Sequence, residues 1–165
     1  MARNVFYGRK KVVVVGVNGN PMAQEVIREM KDQGMTGAVE LDAPKAYPDY
    51  YTMAELKPDY VIFLYESARC KIKITRVEGM LGDRLGHTVH RDTEESRKAQ
   101  NCYKHHIKMI GVDPIMLGAE EIPLQDVRDI PWFYTGKVPM LHLHLPKVDG
   151  MAQAVCKAVQ DYFCR

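Results

Sequence analysis

The chain has one tryptophan and four cysteines in 165 residues, and Cys70, Cys102, Cys156 and Cys164 are scattered with no C-x-x-C pair. That spacing argues against a disulfide framework and for reduced thiols. Charge of one sign is also scarce: 23 Lys and Arg stand against 21 Asp and Glu, a net of +2 with His neutral. No basic block interleaves with aromatics, so neither a nucleic-acid nor a membrane-surface footprint is present. No run approaches the roughly 20 apolar residues of a membrane span. There is no basic-then-apolar leader, which makes the cytoplasm the expected compartment. Repeats and low-complexity linkers are missing too, so residues 1–165 read as a single domain, and 46% hydrophobic content suits a sizeable core.

What is present is organised around Lys11 to Met30: a β-branched run, a tight turn and an amphipathic helix. Val12 to Val15 show no polar alternation, the pattern of a strand covered on both faces. Gly16, Asn18, Gly19 and Asn20 tolerate tight or left-handed backbone, and Pro21 suits a first helical turn. Met22, Val26, Ile27 and Met30 then form one apolar stripe over a helix predicted from Met22 to Gln33. A loop and a helix amino end at the carboxyl edge of a central strand mark the place where open sheets put ligands.

Further strands are expected at Ala38–Leu41 and Tyr60–Tyr65, with a capping-box spacing at Thr52 to Glu55 between them. The order β-α-β-α-β favours a parallel sheet with right-handed crossovers. Lys71 to Val77 alternates polar and apolar residues, which points to an antiparallel edge or hairpin with one solvated face. A helix over Glu94–Ile110 capped by Asp92 or Thr93, a short strand at Ile115–Leu117, a late strand at Met140–Leu145 and a last helix capped by Asp149 complete the chain. Trp132, Phe133 and Tyr134 sit in its least regular section. The expected fold is one three-layer α/β domain, its sheet mostly parallel with an antiparallel edge or hairpin.

Several groups carry chemistry. The turn at Asn18, Gly19 and Asn20 is the candidate cofactor-binding segment, although it has neither G-x-G-x-x-G nor the G-K-[ST] ending of a Walker A loop. Glu40 or Asp42 stands where a dinucleotide fold places an acid on ribose. Glu25, Glu66, His87 and His90 fall where the inferred topology can gather them at the carboxyl edge. Carboxylates with imidazole bind a divalent metal such as nickel or zinc, or activate water against a carbonyl. The plainer alternative pairs Glu25 with Arg28 or Lys31 and Glu66 with Arg69. Cys102, His105 and His106 lie on one helix, and His142 and His144 share a strand face; each group is a second candidate for a transition metal if a distant acid completes it.

Gly19 to Glu25 (GNPMAQE) followed by Glu66 after an apolar strand resembles the opening of the endopeptidases that mature nickel-iron hydrogenases. Val26 departs from that family's acidic pair, and the run Ile72 to Gly86 is loosely similar to pyroglutamyl peptidases. The resemblance implies an α/β metal-assisted hydrolase acting on a peptide bond, with Glu25, Glu66 and His90 as catalytic groups and Glu25, Glu66, His87 and His90 as ligands. The alternatives are a noncatalytic complex subunit or small-ligand-binding domain, and a nucleotide-dependent enzyme. The partners left open are a protein or peptide substrate, a second copy of the chain, or a larger complex.

Overall fold

The computed structural model describes residues 8–43, 55–80, 88–90, 94–123 and 138–164. The Thr52 capping box, the Asp92 or Thr93 cap, His87 and the Trp132 to Tyr134 cluster lie outside them. The elements are β1 (Val12–Val17), α1 (Met22–Asp32), β2 (Val39–Ala43), β3 (Tyr60–Glu66), β4 (Lys71–Met80), β5 (Thr88–His90), α2 (Glu94–Met109), β6 (Ile115–Pro123), β7 (Met140–Leu145) and α3 (Met151–Cys164).

They form a three-layer α/β domain on a seven-stranded mixed sheet of order β2-β1-β3-β7-β4-β5, with β6 also paired to β4. β2, β1, β3 and β7 are mutually parallel. β4 reverses direction against β7, β5 pairs antiparallel to β4, and β6 runs parallel to β4. The expected antiparallel edge is therefore a three-strand extension carried by one ten-residue strand. Among the described residues no helix is long and apolar enough to cross a membrane.

The β-branched central strands fill both faces. Val12, Val14, Tyr60, Ile62, Leu64, Leu141 and Leu143 join Val26, Met30, Ala99, Tyr103, Val155 and Val159 in the core under α1, α2 and α3. Val13, Val15, Val61, Phe63 and His142, on the opposite face, are equally inaccessible. Each such aliphatic side chain is worth about 1.5–3 kcal/mol of burial. Helix α3 packs against both α1 and α2, so the three described helices cover one face of the sheet.

Two polar side chains fasten this layer to strands. Ser96 Oγ accepts the Met140 N–H at 3.1 Å. Gln100 Nε2 donates to the carbonyls of Ile72 at 2.8 Å and Leu117 at 3.0 Å, where the β4–β6 register shifts. The last helix is entered differently from expectation. Its first N–H bonds are Met151 to the Val148 carbonyl and Ala154 to the Gly150 carbonyl, and Gly150 has φ of 86°. Asp149 is thus not its cap but an exposed group on the loop.

Burial raises the acidities of the core in one direction. Desolvation pushes the Tyr60 and Tyr103 hydroxyls well above their usual range, the Cys70 thiol up to about 11 and the Cys156 thiol up to about 12. The folded state then keeps protons that the unfolded chain releases from about pH 8.5 for Cys and about pH 10 for Tyr. Chemical-denaturation midpoints should accordingly fall progressively above about pH 8.5, and Tyr60→Phe should flatten the decline above about pH 10. Gln100→Ala leaves the buried Ile72 carbonyl and the partly buried Leu117 carbonyl without their donor; equilibrium urea unfolding should show a loss of about 1–3 kcal/mol.

Candidate functional site

Strand β1 ends in a turn that its sequence demands. Asn18 and Gly19 both adopt positive φ, 57° and 69°, a conformation that Asn and Gly reach at least cost. Beneath the turn the chain is tightly packed: a Cβ on Gly16 would lie 3.0 Å from Ala23 Cβ and 3.1 Å from the Asn20 carbonyl oxygen. Gly16 therefore lets α1 settle directly on the end of β1.

The helix amino end is already satisfied. Asn20 Oδ1 accepts the Met22 N–H at 3.1 Å, the Asn20 carbonyl accepts Ala23 N–H, and the Pro21 carbonyl accepts the N–H groups of Gln24 and Glu25. Backbone amides engaged in this way do not cradle a phosphate as a glycine-rich nucleotide loop does. The Asn20 amide group is the exception, because its Nδ2 is buried with no hydrogen-bond partner among the described residues while the residue is 7% exposed. An unsatisfied buried donor costs about 1–3 kcal/mol, so it calls for an acceptor.

Beside this turn lies a cleft of about 270 Å³ lined by Pro21, Met22, Glu25, Lys147, Val148 and Asp149. Its walls come from the start of α1 and the loop leaving β7, so it opens at the carboxyl edge of the parallel strands. Lys147 Nζ reaches Glu66 Oε1 at 3.3 Å, with both side chains more than half exposed. Such a pair contributes little stability, but it holds the ammonium beside the cleft. Glu25 and Glu66 are thus brought to one edge, Glu66 paired with Lys147 and Glu25 lining the same cleft as that lysine. Glu66 pairs with this lysine rather than with Arg69.

His90 does not join them. Its backbone lies on β5 opposite Glu78, toward the far end of β4 from Lys71, whose partner on β7 is His144. Among the described residues no group of three His, Cys, Asp or Glu is placed to hold a metal ion. Val26, at the second position of the sought acidic pair, is fully buried in the core, and the lysine beside Glu66 opposes a cation electrostatically. The expectation of a metal-binding hydrolase centre is corrected on these grounds.

The other two clusters resolve as well. Cys102 is buried in the core, while His106 Nε2 meets Asp161 Oδ2 of α3 at 3.1 Å and packs edge-on to His105. That arrangement ties α2 to α3. His142 and His144 do share a face, and their neighbours among the described residues of β3 and β4 are aromatic rings and lysines. In the parallel β3–β7 register Phe63 stands beside His142 and Tyr65 beside His144, and each pair is stacked with centroids 4.4 Å apart and planes at 14°. Tyr65 Oη bonds diagonally to His142 Nδ1 at 2.9 Å. Across β4, Lys73 is opposite His142 and Lys71 opposite His144. Ammonium groups there disfavour a cation on chemical grounds. Glu40 is exposed on the edge strand β2, and the Asp42 side chain lies outside the described residues.

Sequence reasoning passed over Lys147, which no motif marks, and underused Asn20. The signal for Lys147 was positional, since it follows the last strand of the parallel set.

No family model and no curated protein matches this chain. Solved structures do. Isoform 2 of uridine phosphorylase from Schistosoma mansoni, in complex with citrate, is 11% identical; the match covers 100% of this chain and 90% of that one, with a TM-score of 0.52. The P. knowlesi homologue of P. falciparum PNP is 10% identical over 93% of this chain and 88% of that one, with a TM-score of 0.46. AMP nucleosidase from Bacteroides thetaiotaomicron is 11% identical over 93% and 87%, with a TM-score of 0.42.

Gly16→Ala should separate α1 from β1 and cost about 1–3 kcal/mol in thermal or urea unfolding, whereas Gly19→Ala meets no atom and should act only through its positive φ. The chain's fold resembles that of the Schistosoma mansoni uridine phosphorylase, and this replaces the likeness to hydrogenase-maturing endopeptidases and pyroglutamyl peptidases.

Proposed function

We propose that the chain is a nucleoside- or nucleotide-acting enzyme that seats its substrate in the cleft between α1 and the loop after β7. The observation that carries this reading is the unpartnered, buried Asn20 Nδ2 at the amino end of α1, next to cleft residues Pro21 and Met22. The fold shared with a uridine phosphorylase supports the same class.

The chemistry of the lining suits such a ligand. Glu25 and Asp149 supply carboxylate oxygens that accept from a ribose diol. Asn20 Nδ2 and Lys147 Nζ supply donors for a carbonyl or phosphoryl oxygen. Val148, 41% exposed, offers an apolar wall for a base. In this reading the turn of Asn18, Gly19 and Asn20 shapes the site through its side chains and backbone bend, and Glu66 positions Lys147.

Isothermal titration with uridine, inosine and adenosine tests the proposal. One of them should bind saturably, with Glu25→Gln and Lys147→Ala each weakening it about tenfold, the worth of one charge-assisted hydrogen bond. Phosphate-dependent release of free base from that nucleoside would establish turnover. Saturable binding without turnover would leave the small-ligand-binding domain as the better reading, and absence of binding by all three would overturn the assignment.

A further inference from the structure

The turn that joins β1 to α1 places an asparagine directly before a glycine, Asn18-Gly19, with both residues exposed. We propose that Asn18 is a site of spontaneous covalent modification: the Gly19 nitrogen displaces its side-chain amide through a cyclic imide, leaving isoaspartate and aspartate, and the isoaspartyl form loosens the entry to α1. The step needs only the chain and water. Gly19 N attacks Asn18 Cγ, the Cγ–Nδ2 bond breaks, and Nδ2 leaves as ammonia carrying the proton given up by the Gly19 N–H. Water then opens the imide. Cleavage of the Cγ–N bond restores an ordinary peptide with an aspartate side chain, whereas cleavage at the main-chain carbonyl routes the backbone through Cβ.

The structure leaves the reacting atoms open. Neither the Asn18 amide nor the Gly19 N–H makes a hydrogen bond to a described residue. A Cβ built on Gly19 would meet no atom, so nothing crowds the nitrogen from that side. At positive φ, 57° and 69°, the turn must swing about the Asn18 Cα–C bond to bring that nitrogen to Cγ, and an unanchored asparagine beside a glycine makes the rotation inexpensive. The other described asparagines lack these conditions. Asn20 precedes Pro21, which has no N–H to attack with, and its Oδ1 already holds the Met22 N–H. Asn101 lies inside α2, where the helix fixes the backbone on both sides.

The rearranged backbone does not fit the turn. Isoaspartate inserts a methylene carbon between Asn18 Cα and Gly19 N, and the flanking chain has no slack to absorb it. Val12 to Val17 are buried on the strand side, and on the helix side a Cβ at Gly16 would already lie 3.0 Å from Ala23 Cβ and 3.1 Å from the Asn20 carbonyl oxygen. Asn20 is therefore the residue that moves. Its Oδ1 bond to Met22 N–H and its carbonyl bond to Ala23 N–H, which begin α1, are lost or stretched with it. The modification itself is independent of what the cleft binds; only its effect on nucleoside affinity rests on the reading of that cleft given above.

The test ages the folded full chain at mildly alkaline pH, which favours removal of the Gly19 amide proton, and maps it by mass spectrometry. The tryptic peptide Val12–Arg28 should convert from amide to acid at Asn18 and not at Asn20, Asn101 should persist, and labelled methyl transfer by an isoaspartyl methyltransferase should mark the same peptide. Gly19→Ala and Asn18→Gln should each slow the conversion several-fold, the first by crowding the nitrogen and the second because its imide ring is larger. The isoaspartyl fraction, separated by anion exchange, should melt below the unmodified chain and bind nucleoside more weakly. Asn18→Asp carries the charge without the methylene and should melt with the wild type. An intact Asn18 after ageing, conversion seen only in urea, conversion of Asn101 at the same rate, or an isoaspartyl fraction that melts with the unmodified chain would each overturn the proposal. Absence of nucleoside binding in fresh and aged chain alike would overturn the cleft's assignment and leave the modification standing on its mass and melting readouts.

Discussion

Burial of the parallel strands on both faces is the constraint on which the rest of the structure depends. Val12 to Val15 and Val61 to Leu64 are wholly inaccessible, so a polar side chain in either stretch would be costly. Chemistry is pushed to the strand ends, and the ends that converge on loops and a helix start are the carboxyl ones. Gly16 completes this arrangement by bringing α1 against β1, and the Asn18-Gly19 turn then delivers Asn20 and Glu25 to the rim. Strand β7 adds Lys147 and Asp149 from the opposite side of the same cleft.

The reversal at β4 has a different consequence. A strand that runs antiparallel on the flank of a parallel set does not need two apolar faces, and Lys71 to Ile74 alternates accordingly. Its apolar half, Ile72 and Ile74, enters the helix-side core, and its lysines fall opposite the β7 histidines. Gln100 bridges this junction by bonding to both β4 and β6 where their register slips. The same strand thereby closes the core.

Core chemistry is silent by comparison. Cys70 and Cys156 have thiols whose acidity is suppressed by burial, so neither supplies a thiolate near neutral pH. The Tyr60, Tyr103, Tyr162 and Phe163 rings pack edge to face or tilted, and these contacts are packing between the sheet and α2 and α3. His106 with Asp161, and Tyr162 with Glu95, join the two helices at the surface. Groups that look reactive in a list of residue types are here structural partners.

The amino-acid sequence by itself determined the elements whose patterns are local. The unbroken apolar runs of Val12–Val15 and Tyr60–Tyr65 specify doubly covered strands, the stripe in Met22–Met30 specifies a packed helix, and the alternation from Lys71 specifies a flank strand. The turn at Asn18 and Gly19 was equally legible, because few residues accept its backbone. Tertiary structure alone decided which distant groups meet. Glu66 faces Lys147 rather than Arg69, Asp149 borders a cleft rather than capping α3, and His90 sits beyond the edge where Glu25 and Glu66 lie. The likeness to metal-dependent peptidases failed for the same reason: spacing along a chain sets which face a side chain shares, but strand order and register set its neighbours. A lysine arriving from another strand can reverse the charge of a site that its own segment describes as a cation's.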